Sequence, residues 1–280
     1  MKDYEQLTLR DHFMFGKIFQ NPANSSLLLT SLLNTDINVE FAEIEKYFKE
    51  YSDGKFIRVD LISKDENGNI YDAELQHGST NPSRKSELPK RSRLYQALID
   101  SAAASSGIPY IDLKKIYIIF ICTYDPFGQN LGMYTFHTRC SESDSIDYDD
   151  GIYKIFFNTT GNLENLPKST QNMLKYIDTG MISDHATSYI ADAVTKAREK
   201  DEWREEYMLA SIYYDDVFNE GYYTAKNQLD SVIAKQASTI DSQADIIADK
   251  DNQIADKDNQ IAALNNQIAE LRQQFEAKNN

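Results

Sequence analysis

The chain of 280 residues is 41% hydrophobic and 11% aromatic, enough to bury a sizeable core in one or two domains. No apolar run approaches the ~18 residues of a membrane span and no cationic start leads into an apolar segment, so the reading is a cytoplasmic protein with no membrane partner. The net charge of −15 argues against indiscriminate attraction to nucleic acid, and two cysteines, Cys122 and Cys140, suit reduced thiols better than a disulfide or zinc site.

That charge is unevenly spread. Residues 1–125 hold 15 Lys and Arg against 18 Asp and Glu, whereas residues 126–280 hold 14 against 26. The acid load belongs to the back half. Residues 84–93 are locally basic, with Arg84, Lys85, Lys90, Arg91 and Arg93 against Glu87 alone.

The spacing of Phe13, Met14, Ile18 and Phe19 predicts a helix over 7–19, with Asp11 near its start as a cap or as the partner of a neighbouring base. A second helix over 25–33 is leucine-rich and reads as core. Residues 38–51 read as a charged connector or a short strand.

Residues 56–77 alternate with period two on both sides of Asn67-Gly68, as the two strands of a hairpin do. A two-residue turn would set Asp60 against Leu75 and mix acids with apolar residues on both faces. A three-residue loop, Glu66-Asn67-Gly68 with Gly68 in the left-handed conformation, sorts every pair. Ile57, Val59 and Leu61 then share one face, with Val59 facing Leu75 and Leu61 facing Ala73; on the other face Asp60 faces Glu74 and Arg58 faces Gln76. Opposed carboxylates repel, which leaves two readings of that face. Either the acids turn to water, or they grip one divalent cation between them.

Residues 78–89, rich in Ser, Asn and Pro, predict a mobile loop. A helix over 90–105 follows, with its basic residues in the first turn, where they oppose the helix dipole. Arg91 and Arg93 there serve either as phosphate ligands or as a solvated helix end. The run Ile116–Tyr124 has the composition of a strand buried on both faces at the sheet's centre. Further strands are expected over 133–139 and 152–158, with an acidic exposed loop over 142–150 between them. His77 and His137, single histidines in strands, read as structural partners.

From Leu166 the pattern is helical to the end. Trp203 and Tyr207 share a stripe that reads as core. Isoleucine recurs every seven residues at Ile233, Ile240, Ile247, Ile254, Ile261 and Ile268. With Ile at a, the d positions run from Gln236, Gln243, Lys250 and Lys257 to Leu264 and Leu271. The coiled coil is therefore expected to be tightest at its C-terminal end, as a parallel homodimer.

These motifs carry a resemblance. Asp60 and then Glu74-Leu-Gln76 across a hairpin is similar to the core of the PD-(D/E)XK nucleases, and the surrounding text resembles their Rpn branch, the recombination-promoting nucleases. Asp11-His-Phe-Met-Phe-Gly-Lys17, Arg58-Val-Asp60, Arg93-Leu-Tyr95, Tyr134–Arg139, Lys154–Asn158 and Asp201–Tyr207 extend the likeness over about residues 5–220. Gln76 stands where the superfamily usually has lysine, and Val59 where it has proline.

The resemblance implies an α/β fold, a restriction-endonuclease-like mixed sheet core flanked by helices, with a C-terminal helical extension and coiled coil. The expected domains are a nuclease-like domain over 1–165, the extension over 166–224 and the tail over 225–280. It implies a metal-dependent DNA endonuclease of the transposase-like type, with Mg²⁺ or another divalent cation held by Asp60, Glu74 and the Leu75 carbonyl. Gln76 would orient the nucleophile, Arg91 and Arg93 would hold flanking phosphates, and Asp11 would be an accessory acid. The alternative is an inactive nuclease-fold scaffold that binds DNA or protein and dimerises through its tail, a reading that Gln76 and the acidic total motivate.

Overall fold

The structure, a computed structural model, describes residues 2–48, 57–77, 82–104 and 107–279. The chain divides into two compact units, Met1–Leu209 and Ala210–Asn280. The first contains a six-stranded mixed sheet whose strands are β1 (Val39–Phe48), β2 (Ile57–Asp65), β3 (Ile70–Gln76), β4 (Ile116–Cys122), β5 (Met133–Phe136) and β6 (Ile152–Asn158). Their order across the sheet is β1-β2-β3-β4-β6-β5. The β3–β4 and β4–β6 pairs are parallel and the rest antiparallel.

β4 lies inside the sheet, as its composition predicts, and both of its faces are covered. Ile118 and Phe120 point to one side with Leu88, Tyr95, Leu98 and Ile99 of α3 (Pro82–Ala103). Ile119 and Ile121 point to the other, against α1 (His12–Phe19), α2 (Pro22–Leu33), α4 (Lys168–Thr179) and α5 (His185–Arg198). The protein is thus a mixed α/β fold with helices on both faces of the sheet. Met173, Leu174, Ile177, Ile190 and Val194 of α4 and α5 belong to that second core, within the compact unit Met1–Leu209.

Local chemistry explains the element ends. Asn21 caps α2 by accepting from Ala23 N at 2.9 Å and Asn24 N, and Pro22 sits at the first helical position, where its missing N–H costs nothing. The expected three-residue hairpin loop is present. Asp65 N donates to Asn69 O at 3.1 Å, and Gly68, at φ +80°, donates its N–H to Asp65 O. The Asp65 carboxylate locks the loop by accepting the Asn67 and Asn69 amides, both at 2.9 Å, and the Tyr71 hydroxyl.

Four expectations change. Of the two readings of 38–51 the strand is the one present, and over 39–48 it is a full ten-residue edge strand, longer than the short one expected. The segment expected as a loop is helical from Pro82, because Leu88 buries in the α3 core and Pro82 starts the helix; residues 78–81 and the side chains of Arg84 and Lys85 lie outside the described residues. Arg91 therefore sits in the middle of a helix, and the argument from an opposing dipole does not apply to it. β5 is shorter than expected, ending at Phe136.

The fourth change is in β2. Ile57 and Val59 pack with Ile62 on the α3 side while Leu61 packs on the opposite side, so the alternation inverts around Asp60 and Val59 does not share a face with Leu61 or Leu75. Glu45 lies between the pairs Ile44↔Leu61 and Lys46↔Val59, alongside Asp60, and adopts φ +52°. A non-glycine residue in that region carries local strain.

The second unit is the remainder of α6 (Asp201–Asn279), a helix of 79 residues. All six heptad isoleucines are exposed on it, as are Leu264 and Leu271.

Candidate metal centre and active site

The β2–β3 ladder pairs Leu61 with Ala73 and Ile62 with Asp72, the register that the three-residue loop demands. Continued one step, it brings Asp60 and Glu74 together, but here side chains replace the backbone ladder. Asp60 N donates to Glu74 Oε1 at 2.7 Å, and Leu75 N donates to Asp60 Oδ2 at 3.1 Å. Each acid thus accepts an amide from the other's strand.

Their surroundings are unlike. Glu74 is 2% exposed, and burial, followed by the charges of Asp60 and Asp72, pushes its carboxyl well above the ordinary range. Asp72, two residues earlier on the same face of β3, is wholly buried, and among the described residues neither of its oxygens has a hydrogen-bond partner. Burial and then Asp60 raise its carboxyl strongly too. Asp60, Glu74 and Asp72 feel one another's charge, and each offers hard oxygen donors of the type that suits Mg²⁺ or Mn²⁺. Among the described residues, no group of three or more His, Cys, Asp or Glu side chains is arranged to hold a metal ion, so a cation here would depend on Asp60, Glu74 and the Leu75 carbonyl with water completing the shell.

The third motif position is held by contacts on both ends. Gln76 Nε2 donates to Leu75 O at 3.0 Å, and Gln76 Oε1 accepts from Arg91 Nη1 at 2.9 Å. Arg91 Nη2 also donates to the Tyr95 hydroxyl at 3.0 Å and lies 3.6 Å from Glu74 Oε2. Its guanidinium stands over the rings of Tyr95 and Phe120, at 5.5 and 5.7 Å from their centroids. Burial works against the charge, but the Tyr95 hydrogen bond and the fields of Glu74 and Asp60 outweigh it and hold the guanidinium protonated. Burial likewise pushes the Tyr95 hydroxyl up to about 12.

A model of the PD-(D/E)XK nuclease family transposases matches residues 9–157, which is more than half of the chain and contains every one of these groups. The chain belongs to that family. No curated protein and no solved structure gives a significant match.

Seen as a member of the PD-(D/E)XK family, the chain assembles Asp60, Glu74, Leu75 and Gln76 in one place, and Arg91 joins them. Arg93 is exposed on α3 and has no such contact with the cluster among the described residues. Asp11 is turned elsewhere: its carboxylate accepts from Thr8 N at 2.9 Å and pairs with Lys2 Nζ at 2.9 Å. The helix it begins contributes through the next residue, since His12 Nδ1 lies 3.1 Å from Asp60 Oδ2. That hydrogen bond raises the imidazole above its ordinary value against the opposing effect of burial. His77 is a structural partner, 3.0 Å from Thr123 Oγ1.

Asp72, His12 and Tyr95 escaped the sequence reading as site residues. For Asp72 a signal existed, because alternation along β3 puts it on the face of Glu74 and Gln76. His12 and Tyr95 lie in the family-like segments Asp11–Lys17 and Arg93–Tyr95, but no local pattern docks those helices onto the hairpin.

Proposed function

We propose that the protein is a metal-dependent DNA endonuclease of the recombination-promoting, transposase-like type. The observation that carries this reading is the crossed pair of Asp60 and Glu74 in a buried acidic cluster, in a chain of a nuclease family. Asp60, Glu74 and the Leu75 carbonyl would hold Mg²⁺ or another divalent cation, and the bound ion would supply Lewis-acid stabilisation and a more acidic water. The chain's own residues do the rest. Glu74 and Asp60 fix each other's strands through amide hydrogen bonds, His12 holds Asp60 in place, and Gln76 orients the nucleophile. In the hydrolysis a water oxygen forms a bond to phosphorus as the bond to one sugar oxygen breaks; the water gives up a proton and the departing oxygen takes one.

The exposed isoleucine stripe of α6 supports a parallel homodimer, because eight apolar side chains at heptad spacing stabilise a partnered helix better than a solitary one. Gln76 favours a second reading, an inactive scaffold of the same fold, and a plasmid assay separates the two. Supercoiled DNA incubated with the protein is expected to convert to open-circular or linear form with Mg²⁺ and to stay intact with chelator. DNA left intact in both contradicts the endonuclease.

A further inference from the structure

We infer that Arg91 takes the place of the lysine that the third motif position lacks, supplying from α3 the fixed positive charge of the active site. The inference rests on the nuclease reading. The name PD-(D/E)XK places a lysine where this chain has Gln76, and glutamine carries no charge. The geometry shows where the charge went. Arg91 Nη1 is 2.9 Å from Gln76 Oε1 and Nη2 is 3.6 Å from Glu74 Oε2, so the guanidinium reaches both motif residues at once.

Three features argue for a working charge over a loose surface contact. First, the Tyr95 hydroxyl and the rings of Tyr95 and Phe120 fix the guanidinium in position. Second, Gln76 is used as a bridge: it donates to the Leu75 carbonyl and accepts from Arg91, which couples the guanidinium to a candidate metal-holding oxygen. Third, the side chain is 35% exposed, and its hydrogen bonds to Gln76 and Tyr95 use only two of the five guanidinium N–H groups, which leaves donors for a phosphate oxygen. Arg93 is exposed and outside the cluster. Arg91 is accordingly assigned to the reacting phosphate, and not to the flanking phosphates that its place in a basic segment suggests.

The test compares wild type, Arg91→Ala, Arg91→Lys, Asp60→Ala and the double variant Gln76→Lys/Arg91→Ala, each checked for an unchanged melting profile. Single-turnover plasmid cleavage with Mg²⁺ is measured beside DNA affinity without any divalent ion. Arg91→Ala is expected to cut about 100-fold more slowly with DNA affinity within twofold of wild type. Lysine at 76 in the double variant is expected to restore at least a tenth of the wild-type rate, and Arg91→Lys to be intermediate. Arg91→Ala cutting at the wild-type rate, losing its DNA affinity, or gaining nothing from lysine at 76 overturns the inference while leaving the nuclease reading intact. Wild type and Asp60→Ala that both leave DNA uncut overturn the nuclease reading and this inference with it.

Discussion

Asp60 and Glu74 hold each other's strands: the Asp60 amide donates to the Glu74 carboxylate at 2.7 Å, and the amide after Glu74 donates to the Asp60 carboxylate at 3.1 Å. The crossed arrangement keeps two acids close while satisfying one oxygen of each. It also stores an electrostatic cost, because the Asp72 carboxylate shares their buried surroundings with no hydrogen bond among the described residues. Five measurements test that cost and the elements that frame it.

The first concerns pH. Burial and the neighbouring acids hold Glu74 above its ordinary 4.5 and Asp72 above its ordinary 3.8. A carboxyl whose folded value is raised keeps its proton longer in the folded chain, so stability is full below the unfolded value and falls as pH rises toward the folded one. The melting temperature of metal-free protein should therefore decline above pH ~5. Glu74→Gln should flatten the decline, and a divalent cation should offset it by mass action. Wild type and Glu74→Gln with parallel profiles contradict the assignment.

His12 gives a spectroscopic check on the position of Asp60. Its hydrogen bond to Asp60 raises the imidazole, so the stability it adds is complete below pH 6.5 and is lost as pH rises through the folded value. NMR titration should place the His12 midpoint above 6.5 and show it falling in Asp60→Asn. An unchanged midpoint in that variant separates the two side chains in solution.

Much of this framework was legible in the chain. The hairpin register followed from pairing chemistry, because only a three-residue loop keeps acids off apolar partners, and β4 was recognisable because a run such as Ile116–Cys122 has no face to show water. The inversion around Asp60 is not legible, since period-two alternation carries no sign of the adjacent strand position where Glu45 adopts a left-handed backbone. Nor was the helical start of α3. Proline and serine at 82, 83, 86 and 89 read as breakers, whereas burial of Leu88 against the sheet overrides local propensity. Arg91 stands out by charge and its i+4 spacing to Tyr95 is legible, but its contacts with Glu74 and Gln76 come from a tertiary docking that no spacing reveals.

Gly68 tests the hairpin. At φ +80° an alanine there costs roughly 1–2 kcal/mol from backbone strain, and its Cβ would meet the Lys114 side chain at an ordinary 3.4 Å. Urea unfolding of Gly68→Ala should show a lower midpoint with an unchanged slope. A midpoint equal to wild type contradicts the left-handed loop.

The isoleucine stripe of α6 predicts the state of assembly. Light scattering of the full chain should report a dimer, and truncation after Tyr223 should yield a monomer, since it removes every heptad isoleucine from Ile233 onward. The monomer should also make fewer double-strand breaks per nick, because paired sites are separated. A dimer that persists after truncation places the interface elsewhere.

The most direct test of the central claim is the conversion of supercoiled plasmid by wild type and by Asp60→Ala, each with Mg²⁺ and with chelator. The account predicts open-circular or linear product from wild type with Mg²⁺ alone, and a rate at least ~100-fold lower from Asp60→Ala. Equal, Mg²⁺-dependent cleavage by the two proteins would contradict it.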